Sequence, residues 1–367
     1  MARITLLACC LSLFVWSWSG YLSAQHPLEV VAELQQAPGN ITVTFNSRVI
    51  MSLHQFFDPT MRVAELTADR KLTPFPDAAW STGGDATHIA LDSVLGIRSD
   101  DRGRVWMLDN GLRGRRVPKL VAWDLRENLL ADVIHLPAPV TLEDSFVNDL
   151  AVDDVHQAIY IADPAGGKDA ALIVVDRTTG MARRVLQGDR SVIPEPIDLV
   201  IDGTPLRVKR PDGKVVRPHV GVNPIALDPT NEWLYFGPMH GTSLYRVRTE
   251  DLLNRSLTPG ELAARVQRYS DKPICDGITI DEADNIYVTD LAAHAVGVID
   301  RDRNYRILIR DPRLSWPDAF SFGPDDYVYV VTNQLNLSAP LNAGKDSAKP
   351  PFYVLRFRAL SRGVTGR

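Results

Sequence analysis

One pattern returns along almost the whole chain: an alternating apolar strand, a turn rich in Asp, Asn or Gly, and a second strand with an aromatic near its middle. The clearest copy runs Asp276-Gly277-Ile278-Thr279-Ile280-Asp281, turns at Asp284-Asn285, and continues Ile286-Tyr287-Val288-Thr289-Asp290. Asn148 to Asp153 leads in the same way to Ile159-Tyr160-Ile161, Asn223 to Asp228 to Leu234-Tyr235-Phe236, and Asp318 to Phe322 to Tyr327-Val328-Tyr329. Leu95-Gly96-Ile97 leads to Val105-Trp106-Met107, and a weaker copy opens the series with Ile41-Thr42-Val43 and Val49-Ile50-Met51. Most copies add a third apolar strand, such as Leu172 to Val175 or Val296 to Ile299. A unit of this kind cannot bury both its faces alone, and closing the units radially protects their edges. The pattern therefore predicts an all-β chain folded as a six-bladed β-propeller over residues 25–367, with Phe352 to Phe357 joining the N-terminal blade to close the ring.

The departures from the repeat mark insertions. Gln187 to His219 reads as an extra hairpin and loop turning at Pro211-Asp212-Gly213-Lys214. Thr258-Pro259-Gly260-Glu261 is a helix start with a capping box, and Leu262, Val266 and Tyr269 would form its apolar stripe. The loop from Asn336 to Pro350 is placed to gate one face of the ring.

At the N-terminus, Arg3, the apolar run Ile4 to Trp18 and Leu22-Ser23-Ala24 read as a signal peptide over residues 1–24, cleaved after Ala24. The expectation is a secreted or periplasmic protein with no membrane insertion after cleavage. Cys9 and Cys10 would leave with that segment, so Cys275 would remain alone, unable to pair within the chain and readable as a buried thiol or a reactive one. A formal charge of −5 gives no field to collect nucleic acid, and the run Arg113-Gly114-Arg115-Arg116 reads as solvated surface. Asn40, Asn254 and Asn336 fit the glycosylation pattern.

Aligning the copies puts Asn148, Asn223, Asp276 and Asp318 in one column at the start of each innermost strand, where equal positions converge on the channel. Asp149 and His240 join them as candidate channel residues that would bind a small molecule. Two carboxylates and two amides suit a hard cation, so Ca²⁺ or another divalent ion held by Asn148, Asn223 and Asp276 is one expectation, with no organic cofactor. The alternative is structural, because Asp and Asn at strand starts often bond neighbouring backbone N–H groups. Asp153, Asp281, Asp284, Asp325 and Asp326 belong to turns. No nucleophile elbow, zinc helix or phosphate loop is present.

Beyond the repeat, Val105 to Gly111, Gly221 to Leu227 with Leu234 to Met239, and above all Trp316-Pro317-Asp318 with Asn333-Gln334-Leu335 resemble the blocks of the Yellow / major royal jelly protein family. The resemblance implies a secreted propeller holding small molecules at its channel, with dopachrome-converting activity in some members and ligand binding alone in others. Insect members usually carry disulfides, which the mature chain cannot form internally. The column is more distantly similar to the metal-binding strand starts of gluconolactonase / regucalcin propellers; where those supply a glutamate from the first blade, this chain reads Pro38-Gly39-Asn40-Ile41. Three functions follow as expectations: a Yellow-type isomerase or tautomerase with Asp276 or Asp318 moving the proton, a metal-dependent lactonase, or a binding protein without turnover.

Overall fold

The computed structural model describes residues 27–82, 90–210 and 212–367. The expected signal segment, Cys9, Cys10 and Pro211 lie outside the described residues. Among the described residues no helix is long and apolar enough to cross a membrane.

Six four-stranded antiparallel sheets form the blades of a β-propeller. Their innermost strands are Pro38–Val43, Val94–Ser99, Asp149–Asp153, Val222–Leu227, Ile278–Ile280 and Pro317–Phe322. Each packs against the next, and the sixth returns to the first. The closure differs in detail from the expectation. Phe352–Arg358 is the third strand of the last blade, and Glu29–Leu34 crosses over to become its fourth.

The turn aspartates explain why the repeat recurs. Asp153 accepts the Tyr160 hydroxyl at 3.1 Å, Asp281 the Tyr287 hydroxyl at 3.0 Å, Asp325 the Tyr329 hydroxyl at 3.0 Å and Asp100 the Trp106 indole N–H at 3.0 Å. Each aromatic thus fills the space between blades while its polar tip is satisfied by the turn of its own blade. Trp106, Tyr160 and Tyr287 are fully buried, and Asp100, Asp153 and Asp281 are buried with them, while Asp325 stays exposed.

The excursion after blade 3 forms two short hairpins instead of one, Val200–Ile201 with Thr204–Pro205 and Val208–Lys209 with Val215–Val216. Arg207 bonds through its backbone to Leu341 at 3.1 Å and Ala343 at 2.8 Å, so the excursion and the loop from Asn336 to Pro350 form one roof. The capping box of Thr258 and Glu261 is present, but the helix spans only Pro259–Ala263. Val266 lies beyond it and Tyr269 belongs to the strand Gln267–Asp271, where pairing with Ser243–Arg248 takes over from the helical stripe. Cys275 is a free, buried thiol.

Candidate functional site

The channel mouth is shaped by irregularities in the innermost strands. Register breaks between Val222 and Ile225, and between Pro317 and Phe320, take Asn223 and Asp318 out of the ladder. Such bulges re-aim side chains, here toward the channel. The equivalent breaks in blades 1 and 2 fall at Gly39-Asn40 and Leu95-Gly96. Asn148 and Asp276 stand just before the innermost strands of blades 3 and 5. A Cβ on Gly277 would meet the Asp318 carbonyl oxygen at 2.3 Å, so only glycine lets blades 5 and 6 approach this closely beside the two acids.

The four column residues form the floor of a cavity of about 420 Å³. His54, Phe56, Phe146, Met239, His240 and Trp316 line its walls, and Leu206, Val208 and Leu341 close it from the roof. Across the floor Asn148 donates to Asn223 and Asn223 to Asp276. The Trp316 indole N–H donates to the other Asp276 oxygen at 2.7 Å, and Asn333 donates to Asp318 at 2.6 Å. Burial pushes the Asp276 carboxyl up to about 7, opposed by the Trp316 hydrogen bond and reinforced by the charge of Asp149. Asp318 is raised well above the ordinary carboxyl range, first by burial and then by Asp276.

One of the expected channel residues, Asp149, lies outside the cavity, and another, His240, lines it as a neutral ring. Asp149 lies beneath the floor, where Arg98 approaches its carboxylate at 3.3 Å and Asn40 donates to it at 3.1 Å. Arg98 also donates to the Asn40 side-chain oxygen at 2.5 Å and to the backbone carbonyl of Ile97 at 2.8 Å. Asp149 is therefore half of a buried ion pair and does not line the cavity. Asn40 is 5% exposed and held in this cluster, which removes it as a glycosylation acceptor in the folded chain. His240 does line the wall, but Val220 N–H occupies its Nδ1 at 3.1 Å and burial lowers the ring to about 4, so near neutral pH it is an uncharged N–H donor. Its Nε2 has no partner among the described residues.

The column was visible in the repeat; its partners were not. Trp316 and Asn333 sit two residues before Asp318 and one after the strand Tyr327–Thr332, within motifs whose chemistry the spacing alone does not disclose. Arg98 carried one signal, a charge inside an innermost strand. Arg113, read as solvated surface, is exposed as expected and stands at the cavity rim as well.

Asn148, Asn223 and Asp276 offer oxygen donors, the type a hard cation takes. As arranged, however, N–H and oxygen alternate along the row, so the three oxygens do not face one point. Among the described residues no group of three or more His, Cys, Asp or Glu is placed to hold a metal. The row is a hydrogen-bonded chain.

Comparison with known proteins adds the lineage. The family model described as major royal jelly protein matches residues 92–362. Major royal jelly protein 7 of Apis mellifera is 27% identical over 195 residues, covering 50% of this chain and 41% of that protein. Protein yellow of Drosophila pseudoobscura pseudoobscura is 32% identical over 95 residues, 24% of this chain and 17% of that protein. The chain spans about two fifths of the length of the royal jelly relatives it matches first. Among solved structures, a luciferin-regenerating enzyme aligns with a TM-score of 0.60 at 13% identity, covering 93% of this chain and 98% of that one. A gluconolactonase of Xanthomonas campestris aligns at 0.56 and 12% identity, covering 92% of each chain. At such identity these two share the fold.

Proposed function

The chain belongs to the major royal jelly protein family, and from that premise we propose that it binds a small conjugated molecule at the channel mouth and shifts a proton on it, as a Yellow-type isomerase or tautomerase. The observation that carries this reading is the setting of Asp276: a carboxyl on the floor of an aromatic-walled cavity, with both oxygens oriented by Trp316 and Asn223. A carboxyl near 7 can take and return a proton at neutral pH. Asp318 beside it is pushed well above the ordinary carboxyl range by burial and by Asp276, which favours it as the proton donor and Asp276 as the base. Asn148 keeps its side-chain amide oxygen free of protein partners among the described residues and can hold a ligand N–H or O–H.

The test is the decay of L-dopachrome followed by absorbance. The protein should accelerate it, and Asp276→Asn should lose on the order of 10²- to 10⁴-fold of that acceleration. A wild-type rate equal to buffer, or an undiminished variant, would end the proposal; binding without conversion would leave a carrier.

The oxygen-only donor set favours one second reading, Ca²⁺ on Asn148, Asn223 and Asp276, which would polarise a lactone carbonyl for hydrolysis. It requires the amides to turn over. On the first reading, millimolar Ca²⁺ or chelator should leave the Tm unchanged within about 1 °C. A Ca²⁺-dependent rise of several degrees, abolished in Asp276→Ala, would put lactone chemistry in its place.

A further inference from the structure

Gly111, Leu112, Arg113 and Gly114 have φ angles of 63°, 55°, 58° and 77°, a left-handed turn that includes two residues with side chains. Leu and Arg avoid this region unless their surroundings enforce it. Here the enforcement is explicit. Asp109 accepts from Gly111 N–H at 3.0 Å, the Ser93 hydroxyl accepts from Leu112 N–H at 3.0 Å, and Asn110 accepts from Arg113 N–H at 3.1 Å. Asp109 is itself fixed by the backbone N–H groups of Asp92 and Ser93 at 2.7 and 3.0 Å.

The turn delivers the Arg113 guanidinium to the cavity rim, 4.6 Å from the Phe56 ring centroid and 4.8 Å from that of Phe146. The two rings lie nearly parallel, with centroids 6.4 Å apart. Among the described residues this guanidinium has neither a carboxylate partner nor a hydrogen-bond acceptor. Arg98, by contrast, is matched to Asp149. Glu143 and Asp144 line the same mouth without pairing with Arg113. The cavity wall holds a second donor without a partner among the described residues, the Nε2 of His240, which is fully buried. A planar fork of N–H groups stacked on two rings is shaped for a carboxylate carried by a flat molecule.

We infer that the cavity selects flat ligands bearing a carboxylate, which Arg113 binds at the rim while the ring of the ligand enters along Phe56 and Phe146. This rests on the reading of the cavity as the small-molecule site. It adds a requirement the floor residues do not impose, an anionic group about the rim.

Calorimetric titration of the whole protein with indole-2-carboxylate, indole and tryptamine separates the two ideas. The carboxylate should bind roughly 10- to 100-fold more tightly than indole, the range of a charge-assisted pair. Arg113→Gln should erase that preference, and Arg113→Lys should keep part of it because the charge stays and the fork is lost. Equal binding of carboxylate and indole, tighter binding of tryptamine, or a preference that survives Arg113→Gln would overturn the inference while leaving the small-molecule site standing. Failure of all three to bind would overturn that site for flat aromatic ligands, and the inference with it.

Discussion

Arg98→Met is expected to destabilise the propeller by about 3–5 kcal/mol, the cost of stranding a buried carboxylate. Arg98 and Asp149 are 5% and 8% exposed at their side chains, and among the described residues no other cation pairs with the Asp149 carboxylate. Adding Asp149→Asn should restore most of the loss, because the remaining amide can bond Asn40 without carrying a charge. The deficit of the single variant should also shrink toward acid pH, where Asp149, already raised by burial, takes up a proton. Denaturant melts of the two variants decide the matter: a single variant within about 1 kcal/mol of wild type would mean that water, and not Arg98, compensates Asp149.

The second large effect is a pH slope. Asp276 is raised from 3.8 to about 7 in the folded chain, so between those values the folded protein holds a proton that the unfolded chain has released. Stability contributed by this group is intact below about 4 and falls as pH rises toward about 7, by up to about 1.4 kcal/mol per pH unit. Asp276→Asn cannot titrate. It should be about 1 kcal/mol less stable than wild type near pH 4, since one donor among Trp316 and Asn223 must go unmet, and gain on wild type steadily from pH 4 to 7. Parallel stability curves for the two proteins would show that Asp276 ionises as an ordinary carboxyl and would remove the basis for its role in proton transfer.

The propeller was legible because its repeat is a packing requirement: an alternating strand, a turn acid and a buried aromatic recur wherever a blade must fill the gap to its neighbour. The floor was legible for the same reason, since Asn148, Asn223, Asp276 and Asp318 occupy one register position and the ring brings that position together. What lay hidden depends on backbone irregularity. Asp149 follows Asn148 directly and shares its polarity, yet strand alternation turns it beneath the floor toward Arg98. Arg113 sits in a basic run that resembles any solvated loop, and only the left-handed turn held by Asp109, Asn110 and Ser93 brings it to the cavity. The stripe from Leu262 to Tyr269 failed because Gln267–Asp271 pairs as a strand, with Tyr269 at the bulge between Arg268 and Ser270.

The crossing of Glu29–Leu34 into the last blade has a consequence for biosynthesis. Its partner Phe352–Arg358 leaves the ribosome more than three hundred residues later, so blades can form in order while the ring stays open until nearly the entire chain has emerged. Cavity assembly is then a late event: Asn333, which ties Asp318 to the Pro38 carbonyl across the closing seam, can act only after both ends have met.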